Sequence, residues 1–277
     1  MTTNTKTVGL IAGNGRFPLL FAQQARARGY RVVTCGIEKE AEPLLSKTSD
    51  EFEWVKIGEL KKMVKFFRSH GVHEAVMAGK VEKVRLLQEN VRPDLDMLGV
   101  LMKLKDHKDD SLLGGIADYL HHQGVDLMDS TFLMDDYLPG PGPLGKRKCS
   151  KEDFENVNFG FKIAKHIAAE DIGQTAVVKN KTAVAVESVE GTDQAILRGG
   201  QLGGGDVIVV KVAKPKQDMR FDVPAAGLTT LDSLIAAKAK VFAFEAGKTL
   251  FLDLELFIER ANKAGIALYG VDSNQVL

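Results

Sequence analysis

The sequence predicts an α/β protein with a Rossmann-like N-terminal domain on a parallel sheet and a second α/β domain. Apolar strands and amphipathic helices alternate in the first half, a proline-glycine segment interrupts them, and strand-rich sequence follows. Such alternation implies parallel strands joined by crossover helices. We therefore assign residues 1–135 to the N-terminal domain, 136–150 to a linker and 151–277 to the C-terminal domain.

The strands of the first domain are short apolar runs, and glycines end its helices. Pro18 suits the first turn of a helix, where its missing N–H would have had no partner. The predicted elements are a strand at 8–12, a helix at 19–28, a strand at 31–35, a helix at 60–70, a strand at 74–78, a helix at 111–122 and a strand at 125–129.

Prolines and glycines dominate Leu138 to Gly145, a composition that cannot continue a helix or a central strand. Beyond it the same reasoning predicts two hairpins, the first around Asn180 and Lys181. The predicted elements are a helix at 152–169, strands at 176–179 and 182–186, a strand at 207–212, a hairpin of 241–245 with 249–252, a helix at 254–264 and a strand at 266–271.

Composition narrows the function classes. Of the 277 residues, 44% are hydrophobic, and 37 Lys and Arg balance 37 Asp and Glu. A balanced chain lacks the positive field on which non-specific nucleic-acid binding depends, so we expect no nucleic-acid partner. Two isolated cysteines do not make a disulfide framework, and neither a secretion signal nor a membrane-spanning run is evident. These features predict a cytoplasmic protein.

The turn Gly13-Asn14-Gly15 lies between a predicted strand and a predicted helix. Backbone N–H groups at a helix N-terminus stabilise phosphate, and Glu38 follows at about the 20-residue spacing of the acid that binds ribose in dinucleotide folds. Pro18, however, occupies the place of the third glycine of that motif. A nucleotide site and a tight turn without a ligand both remain open from the residues alone.

Charged residues crowd the segment from Lys105 to Ser111, directly before a predicted helix. Asp109, Asp110 and Ser111 could cap this helix, since their oxygens accept from its first N–H groups. Alternatively, Lys105 or Lys108 contacts a phosphate.

Two mixed-charge segments stand out in the second domain, Glu187 to Asp193 and Lys211 to Pro224. Cations neutralise phosphates, and carboxylates bind a hard divalent ion through oxygen, so this mixture suits a pyrophosphate site. A surface loop held by ordinary ion pairs is the structural alternative.

At these residues the chain resembles the UDP-2,3-diacylglucosamine pyrophosphatases of the LpxI type. The resemblance spans nearly the whole chain, and its most specific parts are Glu190-Gly191-Thr192-Asp193, Lys214-Pro215-Lys216-Gln217 and Arg220-Phe221-Asp222-Val223-Pro224. Further matches are Gly9 to Gly15 with Phe17-Pro18, Lys108 to Leu113, Asp171 to Gln174, and Glu245 to Lys248 with Leu252-Asp253.

The resemblance implies hydrolysis of the UDP-lipid in lipid A synthesis, and a fold in which the lipid lies in a ligand cleft between the Rossmann-like N-terminal domain and the second α/β domain. Water would attack the β-phosphorus with the help of Mg²⁺, releasing UMP and 2,3-diacylglucosamine 1-phosphate. The family's essential aspartate falls on Asp222, which would act as a metal ligand or as the base. The predicted catalytic residues are Asp222, Asp193 and Arg220, with Asp222 and Asp193 on the metal, and the predicted substrate-binding residues are Gly13, Asn14, Gly15, Lys80, Lys108, Asp109, Thr192, Lys214 and Gln217.

The expected partners are the lipid substrate and, transiently, the surface of the inner membrane; a homodimer is also compatible with the sequence. Two other functions stay open from the residues. One is an NAD(P)-dependent oxidoreductase, which Gly13, Gly15 and Glu38 suggest, and the other is a non-catalytic carrier of the nucleotide-lipid.

Overall fold

The structure, a computed structural model, describes residues 6–81, 93–104, 109–221 and 223–274, with the backbone alone at 109 and 110. The described chain divides into two compact units. Unit 1 contains residues up to Met134 together with Asp218 to Phe221, and unit 2 contains 135–217 and 223–274. Residues 136–150, which we predicted as a linker, belong to unit 2.

Unit 1 is a parallel sheet with strand order β3-β2-β1-β4-β5, the order expected when successive crossovers wind to both sides of β1. Apolar side chains from this sheet and from the helices form its core. The elements are β1 Thr7–Ala12, α1 Phe17–Ala27, β2 Arg31–Ile37, α2 Leu45–Thr48, β3 Glu51–Val55, α3 Leu60–Ser69, β4 Glu74–Ala78, α4 Leu95–Lys103, α5 Asp109–His122 and β5 Asp126–Leu127.

Unit 2 is a mixed sheet with strand order β6-β13-β11-β9-β7-β8 and apolar clusters on its two faces. The elements are a 3₁₀ turn at Asp135–Tyr137, β6 Gly142–Pro143, α6 Lys151–Ala169, β7 Thr175–Lys179, β8 Thr182–Val186, α7 Thr192–Gly203, β9 Val207–Lys211, β10 Ala225–Ala226, α8 Leu228–Ala236, β11 Ala239–Glu245, β12 Leu250–Phe251, α9 Leu254–Lys263 and β13 Ala267–Val271. The α/β class, the parallel first sheet and the second α/β unit are thus confirmed.

The two predicted hairpins have opposite outcomes. The first is confirmed, because β7 and β8 pair antiparallel and both turn residues, Asn180 and Lys181, have positive φ. The second is wrong: β11 pairs in parallel with β9 on one side and with β13 on the other, so it has no free edge for residues 249–252. Instead, β12 pairs with β10, and Phe251 packs against Phe244 with 4.8 Å between the ring centroids.

Helix α7, which is not apparent from the sequence pattern, carries the Thr192-Asp193 motif in its first turn. Its glycines obscured the helical pattern, since glycine is a poor helix former. A Cβ at Gly199 would lie 2.6 Å from the side chain of Val177, and one at Gly200 would lie 2.5 Å from Ala237. These glycines allow α7 to pack closely on β7 and α8, and this packing fixes the position of its N-terminus.

Candidate active site

The strand directions of unit 2 bring several polar residues to one edge of its sheet. The parallel strands β9 and β11 end there, at Lys211 and Glu245. Because β7 runs antiparallel to β9 and β8 runs antiparallel to β7, β7 begins and β8 ends at the same edge. Gln174 precedes β7 and Glu187 follows β8, so residues distant in sequence meet at this edge.

A chain of hydrogen bonds links the start of α7 to this edge. The buried ammonium of Lys211 donates to Thr192 Oγ1 at 2.8 Å, and Thr192 Oγ1 donates to Glu187 Oε1 at 2.9 Å. Gly191, with φ of 82°, is the N-cap residue of α7, and no side chain caps the helix there. A buried cation beside a helix N-terminus creates positive potential, which stabilises bound anions.

Asp193 lies in the same first helical turn. Its Oδ1 atom is buried and, within the described part of the chain, accepts no hydrogen bond. A buried carboxylate oxygen without a donor is costly, so such an atom calls for an explanation such as an ion or a ligand. Asp193 is therefore the predicted site residue whose geometry indicates most directly that something binds.

Asp193 also fits Mg²⁺ chemically, because Mg²⁺ prefers oxygen ligands and is commonly held by one or two carboxylates plus substrate phosphates. Among the described residues, no group of three or more His, Cys, Asp or Glu side chains could hold a metal. Asp222, the other predicted metal ligand, lies outside the described residues, so the Mg²⁺ site stays a prediction.

The turn from Lys214 to Gln217 joins the same network. Gln217 Oε1 accepts from the Lys214 N–H at 3.0 Å and from Gln174 Nε2 at 3.3 Å, while the Gln174 N–H donates to Glu187 Oε2 at 3.2 Å. The Lys214 ammonium pairs with Asp171 at 2.7 Å. The structure therefore connects Thr192, Lys214 and Gln217, which were all predicted to bind substrate.

Glu245, at the same edge, was not predicted as a site residue. Its carboxylate is fully buried and accepts from Lys165 at 2.6 Å, from Lys248 at 2.8 Å and from the Ala213 N–H at 2.9 Å. Burial by itself would raise the pKa of Glu245, but these three hydrogen bonds and the charge of Lys165 hold that pKa below its ordinary value. Glu245 therefore carries a full charge at neutral pH.

The glycine turn of unit 1 is tightly paired with the end of β4. The Gly13 N–H donates to Ala78 O at 2.8 Å, the Asn14 N–H donates to Lys80 O at 2.6 Å, and the Lys80 N–H donates back to Asn14 O at 2.9 Å. A Cβ on Gly13 would lie only 2.5 Å from Lys80 O. The tight-turn alternative accounts for these contacts, and the substrate-binding role of Gly13, Asn14, Gly15 and Lys80 stays a prediction.

The segment Asp218 to Phe221 is fixed within unit 1. The Ser130 N–H donates to Met219 O at 2.8 Å, and the Ser130 hydroxyl lies 2.8 Å from Arg220 O. Phe221 packs against the unit 1 core. The Arg220 guanidinium binds both carboxylate oxygens of Asp218, and this hydrogen bonding holds the pKa of Asp218 below its ordinary value. The predicted catalytic residue Arg220 is thus engaged by a neighbouring acid.

Three predicted site residues cannot be placed in this way. Asp222 and Lys108 lie outside the described residues, and Asp109 is the first residue of α5 but its side chain is not described. Their roles stay predictions.

Two family models match the chain, namely the LpxI N-terminal domain over residues 7–137 and the LpxI C-terminal domain over residues 140–269. A curated relative, the UDP-2,3-diacylglucosamine pyrophosphatase LpxI of Caulobacter vibrioides, is 30% identical over 281 residues, covering 98% of this chain and 99% of the relative.

Solved structures align weakly. A biotin carboxylase domain of a thermophilic 2-oxoglutarate carboxylase has 13% identity and a TM-score of 0.27, over 63% of this chain and 35% of that one. Phosphoribosylglycinamide synthetase from Anaerococcus prevotii has 10% identity and a TM-score of 0.27, over 67% of this chain and 39% of that one. The chain spans little more than a third of these structures, and a likeness at this level carries no functional argument.

The two family models together match most of the chain, and the Caulobacter relative matches it almost from end to end. This chain therefore belongs to the LpxI family.

Proposed function

We propose that this chain hydrolyses the pyrophosphate bond of UDP-2,3-diacylglucosamine in lipid A biosynthesis. Water attacks the β-phosphorus, and the products are UMP and 2,3-diacylglucosamine 1-phosphate. Family membership supports the reaction class and the substrate. One observation carries the proposal: Asp193 Oδ1 is buried and accepts no hydrogen bond from the described residues. Asp193 directly follows Thr192, which lies in the chain of hydrogen bonds from Lys211 to Glu187.

In this proposal the first turn of α7 binds the pyrophosphate group of the substrate. Lys211 adds positive charge, and Thr192 is held in one orientation by its two charged neighbours. Lys214 and Gln217 contact the same substrate from the adjoining turn. Bound Mg²⁺, with Asp193 as a ligand, would supply neutralisation of the phosphate charge. Asp222 is the essential acid that the resemblance implies, and Arg220 stabilises negative charge near it.

The direct test is hydrolysis in H₂¹⁸O. Purified protein is incubated with UDP-2,3-diacylglucosamine and Mg²⁺ in this labelled water, and the masses of both products are measured by mass spectrometry. Attack at the β-phosphorus places the ¹⁸O in the lipid phosphate and none in UMP. Label in UMP would contradict the site of attack, and binding of the lipid without any product would favour a carrier.

The role of Asp222 is tested by replacing it with alanine. We expect Asp222→Ala to lower the rate of UMP release about 10³-fold, which is within the range for removing a general base or a metal ligand. The matched variant is Asp218→Asn, because Asp218 is a nearby acid whose charge is paired with Arg220. Equal losses in the two variants would contradict a special role for Asp222.

We also propose that the protein acts in the cytoplasm and touches the membrane surface transiently, since its substrate carries acyl chains. Among the described residues, no helix is long and apolar enough to span a bilayer. Helix α4 exposes large apolar side chains, with Leu95 84% and Met102 87% exposed. Replacing Leu95 and Met102 with glutamine should reduce co-sedimentation of the protein with anionic vesicles. The control Leu202→Gln, on α7, should not reduce it. Equal binding of all variants to the vesicles would contradict contact through α4.

A further inference from the structure

We propose that the ion pair between the partly buried Lys165 and the fully buried Glu245 is a positioning pair for the proposed site. It fixes the backbone of Ala213 and thereby the orientation of the turn from Lys214 to Gln217. The inference rests on the proposed function, because it assigns that turn to substrate binding.

The ion pair makes hydrogen bonds to both backbone polar groups of Ala213, its N–H and its carbonyl oxygen. Glu245 Oε2 accepts from the Ala213 N–H at 2.9 Å, and Lys165 Nζ donates to the Ala213 carbonyl at 2.8 Å. The two side chains also contact each other, with 2.6 Å between Lys165 Nζ and Glu245 Oε2. Lys165 comes from α6 and Glu245 ends β11, so two elements of unit 2 meet at this peptide.

Ala213 needs such partners because it lies past the end of its strand. The last residue pair of β9 with β11 is Lys211 with Phe244. The Val212 N–H still finds a backbone acceptor, Gln174 O, at 2.9 Å. The next residue, Ala213, is fully buried, and its backbone N–H and carbonyl oxygen bond to the charged side chains of Glu245 and Lys165 instead of to a neighbouring strand.

The orientation of Ala213 determines where the next residues point. The Lys214 N–H donates to Gln217 Oε1 at 3.0 Å, which closes the turn directly after the held peptide. Gln217 Oε1 is tied in addition to Gln174, and Gln174 to Glu187. A shift of the Ala213 peptide would therefore be transmitted to Lys214 and Gln217 together.

Stability alone does not explain this pair. Removing two charges from water is expensive, and well-packed apolar residues commonly replace a buried ion pair without loss of stability. Removing one partner is more destabilising than replacing both: Lys165→Met leaves the buried Glu245 with one fewer cation, although Lys248 remains beside it, and Glu245→Gln leaves Lys165 without its carboxylate partner. This asymmetry separates a positioning role from a structural role.

The experiment compares Glu245→Gln, Lys165→Met and the double variant Lys165→Met/Glu245→Leu in the full-length protein. For each, kcat and KM with UDP-2,3-diacylglucosamine, unfolding in urea and amide hydrogen exchange are measured. We expect KM to rise about tenfold in Lys165→Met, which loses one hydrogen bond from a charged group, and by at least as much in the double variant, which loses both bonds to Ala213. Glu245→Gln keeps an oxygen that can accept from the Ala213 N–H, so its KM should rise less, and kcat should stay within about threefold of wild type in all three. The double variant should have a higher free energy of unfolding than the single variants, but its KM should stay above the wild-type value.

The matched control is Lys240→Met. Lys240 pairs with the buried Asp153 at 2.7 Å, and this pair also joins β11 to α6. Its loss should lower stability and leave KM unchanged. A rise in KM equal to that of Lys165→Met would overturn the inference, as would a double variant with wild-type KM.

Hydrogen exchange separates this inference from the proposed function. Amides of residues 213 and 214 should exchange faster in the double variant, while the amides of α6 remain protected. Unchanged exchange at these amides would overturn the positioning pair whatever the activity. A wild-type protein that releases no UMP would overturn the proposed function, and the exchange data would still test the pair.

Discussion

The glycine turn of unit 1 and the polar edge of unit 2 both lie where parallel strands end, but they use their polar groups differently. In the glycine turn, the N–H groups of Gly13 and Asn14 bond to carbonyl oxygens at the end of β4. At the polar edge, side chains bond to one another, and Asp193 Oδ1 is buried without a partner among the described residues. The turn thus satisfies these backbone groups internally, whereas the edge of the unit 2 sheet keeps a buried carboxylate oxygen that accepts no hydrogen bond from the described residues.

The largest effect that would sharpen this comparison is expected for Asp193→Asn. The variant removes one charge and one ion ligand at the unsatisfied position, and the rate of UMP release should fall about 100-fold, at or above the usual loss for disturbing a metal site. A magnesium titration should show a higher requirement for the ion. Glu190→Gln is the control, because Glu190 precedes the same helix but pairs with Arg198. A similar loss in both variants would mean that local charge, and not the unpartnered oxygen, matters.

The glycine turn should respond mainly in stability, and Gly79→Ala tests this. Gly79 has φ of 87°, and a Cβ there would lie 2.6 Å from Asn14 O, so alanine should lower the free energy of unfolding by about 2 kcal/mol. Gly114→Ala, inside α5 with open space around the site, should instead be neutral or stabilising. Urea unfolding measures both. Equal stability of the two variants would contradict the close approach of the turn to β4.

A smaller effect is expected for Thr192→Val, which keeps the shape of the side chain and removes the hydroxyl between Lys211 and Glu187. The loss of one hydrogen bond to each of two charged groups should lower kcat/KM about tenfold. Thr192→Ser retains the hydroxyl and should recover most of the activity. If serine is as impaired as valine, the methyl group matters more than the hydrogen bonds.

Much of the fold was predictable because apolar runs and glycines mark its buried strands, as in β1 and β4. The edge strand β3 was missed, since Glu51 to Trp54 are only partly buried and their charges hide the strand pattern. Helix α7 was missed because of its glycines, and the second hairpin was predicted wrongly because sequence order does not reveal which strand edges are already occupied.

The candidate site was predictable only in part. Thr192, Asp193, Lys214 and Gln217 lie in the two mixed-charge segments, and the family resemblance singled them out there. The structure connects Thr192, Lys214 and Gln217 through hydrogen bonds. Lys165 gave no signal of a site, since it lies within a helical run, and Glu245 opens a segment of the family resemblance without any role being assigned to it. Their contact depends on the packing of α6 beside β9 and β11, which no local pattern encodes.

The smallest effect is expected for Asp218→Asn in the fixed segment of unit 1. The ion pair with Arg220 is partly exposed, with side-chain exposures of 38% and 40%, so its loss should cost less than about 1 kcal/mol. The folded-state pKa of Asp218 is below its ordinary value of 3.8, so the contribution is present above that pH and is lost as the pH falls through the folded-state value. Urea unfolding of wild type and Asp218→Asn should therefore differ slightly at pH 7 and converge in more acidic buffer. A difference that persists after Asp218 has become protonated in the folded protein would show that Asp218 acts through its shape and neutral hydrogen bonds rather than its charge.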